Sequence, residues 1–323
     1  MSQQDESERP MKHNRLANSG EGAPVPLGWR FAEGLFPWLL VSPALVVLLF
    51  FALFPLGYAI YLSVHHVDLT AGGIGAAVGM ANFRYALDSQ AFWQSLARTL
   101  SIAGVALGVE MVLGVWLAFQ IDRVKWFQGV IRALFLLPLA GAPFAVGMIW
   151  RYLYDSEFGV YNELLHILGL ARINWLGDPQ VAPLSIIVFD IWQWTPFVTL
   201  ITLAGLQSLP REPFEAAELD GGSRFIVLRR LTFPMLSPVL ALVLVLRAMD
   251  LLKLYDPVAA MTKGGPCTAT ETMSYFLYRV GLEQFRLDQA SAMALIVLYA
   301  VIVVTGLALR PLMRLQAERA RKG

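Results

Sequence analysis

Long apolar runs separated by short polar connectors dominate this chain. Six runs approach or exceed the roughly 20 residues that carry a helix across a bilayer core: 36–64, 96–121, 130–154, 181–206, 235–254 and 289–309. The first contains Pro37, Pro43 and Pro55, which membrane helices tolerate when neighbours satisfy the freed carbonyls. The second carries Gly104, Gly108 and Gly114, small residues that let helices approach closely. The pattern predicts an all-α polytopic membrane protein with six transmembrane helices.

The connectors differ in character. Segment 65–94 is polar, with Gly72, Gly73 and Gly75 at an expected turn. Segment 155–180 is polar too, and Trp175 is expected to anchor at the membrane interface. Segment 274–286 is amphipathic and is expected to lie on the membrane surface. Between the fourth and fifth runs stands a short charged stretch, 213–222. Pro213 suits a first helical position. Glu215 and Glu218 suit the positive end of a helix dipole. Gly221 and Gly222 can end the helix in a left-handed turn. A short capped helix followed by a basic segment, Arg224 to Arg230, is predicted. Such an element is a handle by which a soluble partner can grip the membrane part.

Composition agrees with the pattern. Of 323 residues, 57% are hydrophobic and 15% charged, far from a soluble domain. The net charge of +1 says nothing about partners, but its distribution sets the orientation. Arg9, Lys12, Arg15, Arg30, Arg123, Lys125, Arg132, Arg211, Arg224, Arg229, Arg230, Arg310, Arg314, Arg319, Arg321 and Lys322 fall on one side. Arg84, Arg172, Lys263, Arg279 and Arg286 fall on the other. Both termini and the stretch 213–222 are therefore expected in the cytoplasm, and an even number of spans agrees. The polar start, 1–35, is expected to stay attached as a cytoplasmic tail, because the first apolar run is too long for a cleaved signal. A single cysteine, Cys267, allows no intrachain disulfide.

Candidate chemistry is sparse. There is no Gly-x-x-x-x-Gly-Lys-Ser/Thr phosphate loop, and Lys263-Gly264-Gly265-Pro266 has the wrong spacing. No His-Glu-x-x-His, Cys-x-x-Cys or Gly-x-Ser-x-Gly pattern occurs. His65, His66 and Asp68 at the end of the first span are better taken as solvated loop residues than as metal ligands. No enzyme active site, resident cofactor or nucleic-acid partner is expected. Ionisable residues at membrane depth carry more information, because they face a bundle interior or a wet cavity. Arg247, Asp250 and Lys253, spaced by three, share one helical face, and Asp256 continues the series. Two readings stand together. The set can line a path for a hydroxyl-rich solute, or Arg247 and Asp250 can form a structural pair with Lys253 snorkelling outward. Asp190 lies near Trp192, Trp194 and Pro196. Aromatic faces there can stack on sugar rings and the proline can break the helix, or the group is a packed aromatic core. Glu110 is either a cavity residue or a neutral, hydrogen-bonded acid.

The motif Glu215-Ala216-Ala217, three residues, Gly221, nine residues, then Leu231-Thr232-Phe233-Pro234 resembles the EAA signature of permease subunits in bacterial ABC importers. Leu231 and Phe233 stand where that family usually has isoleucine and leucine. Val78-Gly79-Met80-Ala81-Asn82-Phe83, Leu246 to Asp256, and Met261 to Pro266 followed by Thr268-Ala269-Thr270-Glu271-Thr272 are similar to further family segments, so the resemblance spans roughly 37–309. It points to the carbohydrate-uptake group and to the permeases related to the maltose and glycerol-3-phosphate first subunits.

The resemblance implies a type I importer permease fold in a bacterial plasma membrane. The implied division is a first helix at 36–64, a periplasmic loop at 65–94, a permease core at 95–310 with its coupling loop at 207–234, and a basic tail at 311–323. It implies a second permease subunit, a dimer of ATP-binding subunits that hold the nucleotide, and an extracytoplasmic binding protein. Glu215, Ala216, Ala217, Asp220, Gly221 and Pro234 would couple to the ATPase. Arg247, Asp250, Lys253, Asp190 and Trp194 would line the path for a sugar, sugar alcohol or similar solute. The alternatives outside the family are an ion-coupled secondary transporter, which often shows inverted repeats and broken helices, or a membrane scaffold.

Overall fold

The computed structural model describes residues 27–68, 73–124 and 126–322, with side chains from 38 to 306 within those limits. The tail 1–26, with Arg9, Lys12 and Arg15, lies outside them, as do Gly72 and Lys125. The chain divides into two units at Gly57. The first helix, α1 (Leu27–Ser63), supplies the whole described part of the first unit. Its apolar stretch from Trp38 carries exposed Leu39, Leu40, Phe50, Phe51 and Phe54, the exposure expected of a helix solvated by lipid.

The second unit begins at Tyr58. The predicted polar loop at 65–94 turns out to be built: strands β1 (His65–Asp68) and β2 (Gly73–Ala77) pair antiparallel, with Val67 opposite Ile74. Helix α2 (Ala81–Asp88) follows, and Asn82 ties it back by donating to the carbonyls of Ser63 and His65 at 3.0 and 3.1 Å. The all-α expectation thus needs this small hairpin added. Ser89 caps α3 (Gln90–Arg123) by accepting from the Phe92 N–H.

The third predicted span is not one helix. It is α4 (Gln128–Ala140) and α5 (Pro143–Leu153), bent by 91° at their junction. Ala142 precedes a proline, which disfavours the α region for it, and it sits at ψ 125. Pro143, with no N–H to satisfy, starts the new helix. Next come α6 (Val160–Ile167) and α7 (Ala182–Gln207). Trp175 is no free interface anchor: its Nε1 donates to Asn162 Oδ1 at 3.1 Å, and its ring packs on Tyr154. Pro196 does not break α7, which runs through it.

Helix α8 (Glu212–Leu219) is the predicted short helix, and α9 (Arg224–Val227) follows it. The basic segment is no separate linker. A π-helical turn at 228–232 joins α9 to α10 (Phe233–Leu251), so the fifth span begins earlier than expected. Pro234 explains the irregularity: it offers no N–H to the preceding turn, and the Phe233 N–H reaches back five residues to Leu228 O.

Three short elements close the bundle: α11 (Asp256–Met261), α12 (Met273–Tyr278) and a π-helical turn at 279–283. The first part of the predicted surface segment 274–286 is instead packed inside, since Phe276 and Val280 are buried with Phe92 and Met293, while Leu282 and Phe285 stay exposed. Last, α13 (Leu287–Lys322) runs past the expected end of its span and through the basic tail. Among the described residues, five helices are long and apolar enough to cross a membrane, or six with the bent pair.

The core lies along α3 and α7. Ile102, Ala106, Ile186 and Phe189 are buried there. Gly114 makes the approach possible: a Cβ on it would stand 2.6 Å from Val198 Cβ.

Candidate functional site

Two places gather the polar residues that the core does not need. The first is α8. Arg211 occupies its N-cap position, Glu212 and Glu215 lie in its first turn, and Pro213 is the second helical residue, not the first. The acidic pair complements the helix dipole. The helix closes with Asp220 N–H on Ala216 O and Gly222 N–H on Ala217 O at 3.0 and 2.9 Å. Between them Gly221 takes φ +70, the left-handed conformation predicted for it; Gly222 does not share it. None of α8 is buried. Leu219 at the end of α8 is 90% exposed and Phe225 on α9 69%, so this charged segment also presents apolar side chains at its surface. A space of about 750 Å³ opens between α8 and the ends of α3, α4 and α7, lined by Phe119, Asp122, Gln128, Gln207, Phe214 and Glu215. Ala216 and Ala217 lie mid-helix, and Pro234 lies past the π turn at the start of α10.

The second place is a charge cluster inside the bundle. Arg247 on α10 donates from Nε and Nη2 to both oxygens of Glu110 on α3, at 2.8 and 2.9 Å. Nη2 also reaches Asp190 Oδ2 on α7 at 2.7 Å, and Nη1 reaches Asp250 Oδ2. The guanidinium carbon lies 4.7 Å from the ring centre of Trp194. Arg247, Glu110 and Asp190 are almost fully buried, whereas the Asp250 side chain is 51% exposed. Three helices thus converge on one guanidinium, whose planar fork can serve several carboxylates at once. Desolvating these ions costs several kcal/mol each, about what their mutual attraction returns, so the cluster specifies the helix arrangement more than it stabilises it.

The structure joins four of the five predicted path residues: Arg247, Asp250, Asp190 and Trp194. Lys253 does not continue their face. Helix α10 ends at Leu251, and Lys253 lies in the following turn, exposed, with its N–H on Asp250 O. It still borders a small hollow of about 60 Å³, with Asp190, Gln193, Trp194, Asp250, Tyr255 and Asp256. Sequence reasoning left Gln193 out; its place three residues after Asp190, on the same helical face, was the available signal. Glu110 resolves as an ion-paired residue of this cluster. Thr270 and Thr272 are structural: Thr270 Oγ1 donates to Gly265 O and Thr272 Oγ1 to Leu254 O. His66 meets Asp288 and His65 meets Tyr61 O.

A broken span, buried charges at membrane depth and an exposed helix between two spans define a membrane transport subunit. Residues 110–321 match the binding-protein-dependent transport system inner membrane component family, and the chain belongs to it. It is a permease of type I ABC importers. The chain is 35% identical over 249 residues to the trehalose/maltose transport system permease protein MalF of Thermococcus litoralis, covering 77% of this chain and 84% of that one. It is 30% identical to the sn-glycerol-3-phosphate transport system permease protein UgpA of Agrobacterium fabrum, covering 87% and 95%. It is 29% identical to the sulfoquinovosyl glycerol transport system permease protein SmoG of the same organism, covering 86% and 90%. In fold it is similar to a chain of the bacterial alginate ABC transporter solved with alginate pentasaccharide-bound periplasmic protein, with a TM-score of 0.77 at 22% identity, covering 89% of this chain and 97% of that one.

Proposed function

We propose that this chain is one of two permease subunits of an ATP-driven importer for a sugar, sugar alcohol or related polar solute. The observation that carries the reading is α8, a helix with no buried residue set between two spans, with Glu215, Ala216, Ala217, Asp220 and Gly221 in the spacing of the EAA signature. Glu215 offers a charge to a soluble partner, Ala216 and Ala217 permit close packing, and Gly221 makes the exit turn. Pro234 sets the irregular turn through which α8 is joined to the fifth span.

The partner at α8 is a dimer of ATP-binding subunits, which hold and hydrolyse the nucleotide; this chain is non-catalytic. The second permease completes the path, and an extracytoplasmic binding protein delivers the solute at the opposite face. Both termini and α8 then lie in the cytoplasm, in a prokaryotic plasma membrane. A carbohydrate cargo is supported by the relatives named for trehalose/maltose and for sulfoquinovosyl glycerol. Arg247, Asp250, Asp190 and Trp194 form this chain's wall of the path, with Lys253 at its rim.

The test is uptake by the reconstituted importer in proteoliposomes. Solute accumulation that requires ATP, the binding protein and both permeases is expected. Accumulation driven by an ion gradient and indifferent to ATP would overturn the proposal.

A further inference from the structure

Gln193 is 1% exposed and lines the hollow beside the charge cluster. Its Nε2 donates to Gly141 O at 3.4 Å, at the break between α4 and α5. Its Oε1 has no hydrogen-bond partner. Buried acceptors are normally satisfied, so an orphan on a residue that lines a polar hollow marks a place where a donor belongs.

The other groups around the hollow narrow what that donor is. The Arg247 guanidinium is spent on Glu110, Asp190 and Asp250. Toward the hollow this leaves Asp250, half-exposed, and Asp256, exposed, against the single ammonium of Lys253. Carboxylates and an amide oxygen accept; hydroxyls donate. Trp194 and Tyr255 add ring faces on which the C–H face of a sugar can rest. The hollow's 60 Å³ is room for about two waters at roughly 30 Å³ each. That is far short of the ~300 Å³ of a complete ligand pocket. One wall with places for one or two hydroxyls is what this chain supplies.

We infer that this hollow is a hydroxyl-binding subsite for an uncharged polyhydroxylated solute and that it selects against anionic cargo. Gln193 Oε1 and the free face of Asp250 accept from adjacent hydroxyls. A phosphate, sulfonate or carboxylate group brings only acceptors and meets Asp250 and Asp256. The inference rests on the path reading of this site.

The test uses the complete importer in nanodiscs without binding protein. Glycerol, glucose and trehalose, each paired with its phosphate ester, are titrated against tryptophan fluorescence. At least one neutral member is expected to bind, with its ester at least about tenfold weaker. Gln193→Leu is expected to weaken the neutral sugar about tenfold, the scale of one lost hydrogen bond. Gln193→Glu, which keeps an acceptor, retains binding. Asp250→Asn with Asp256→Asn brings sugar and ester within about threefold. Thermal stability of each variant complex shows that it has assembled. An ester that binds as well as its sugar, no binding by any neutral member, or sugar affinity unchanged by Gln193→Leu would each overturn the subsite. Uptake without ATP would defeat the importer reading while leaving sugar binding measurable, so the two failures are separable.

Discussion

The Arg247 guanidinium holds both carboxylate oxygens of Glu110, at 2.8 and 2.9 Å, across 137 positions of sequence. Removing Arg247 leaves Glu110 and Asp190 buried without a counter-charge. Arg247→Met is expected to destabilise the assembled subunit by about 3–5 kcal/mol. Arg247→Lys should recover little, since one ammonium cannot match the fork. The triple change Glu110→Gln, Asp190→Asn, Arg247→Met should recover most of the stability. Unfolding midpoints of the detergent-solubilised complex measure all three.

Gly114 sets the distance between α3 and α7. Gly114→Ala places a methyl 2.6 Å from Val198 Cβ, and overpacking of this kind costs about 1–3 kcal/mol. Adding Val198→Gly should restore part of the loss, and a double-mutant cycle on the unfolding midpoint reads the coupling.

Gly221 sits at φ +70 at the end of α8. Asparagine tolerates that conformation and valine does not. Gly221→Asn is therefore expected to keep ATP-driven uptake, and Gly221→Val to abolish it while membrane insertion stays normal. Adding Glu215→Arg should remove ATPase binding in a pull-down. Normal uptake by the Glu215→Arg, Gly221→Val variant would refute the coupling role.

Asn162 organises the segment between α5 and α7. Its Nδ2 donates to Ile173 O at 2.9 Å, and its Oδ1 accepts from Ile173 N–H and Trp175 Nε1 at 3.0 and 3.1 Å. Asn162→Leu is expected to make local opening of 155–176 easier by about 3 kcal/mol, because buried backbone groups lose partners. Faster amide exchange there, with α7 unchanged, is the readout.

The turn before Asn162 has a pH dependence of known sign. The N–H groups of Phe158 and Glu157 donate to Asp155 Oδ1, both at 2.9 Å, and hold its carboxyl below the usual range. A depressed pKa stabilises the turn above the unfolded value and loses that stability as pH falls through the folded value. Protection from exchange at 156–159, taken against the intrinsic rate at each pH, should thus be flat through neutral and mildly acidic pH and fall only below about 3.9.

Much of this was legible along the chain because membrane spans and short helices are local. Apolar runs of sufficient length, a proline near a helix start and a glycine past its end each act within a few residues. They placed α1, α3, α7, α8 and α13 and gave Gly221 its conformation. The bend at Ala142 has a local signal, a residue preceding proline, but Leu137 and Thr195 also precede prolines inside continuous helices, so that signal alone did not place it. What hydropathy could not report is which distant groups meet. Arg247 and Asp250 share a helix and were paired by spacing alone. Glu110 and Asp190 join them only when α3, α7 and α10 pack. The three-residue series through Lys253 failed because α10 stops at Leu251, and Phe276 and Val280 left the predicted surface because the bundle offered them Phe92 and Met293. Local sequence determined most of the spans, the short helix α8 and its turn. The tertiary packing alone decided that one guanidinium is shared among three carboxylates, that Gln193 keeps an unpartnered oxygen and that the cluster faces a hollow. Those depend on distances between residues far apart in the chain, which no periodicity encodes.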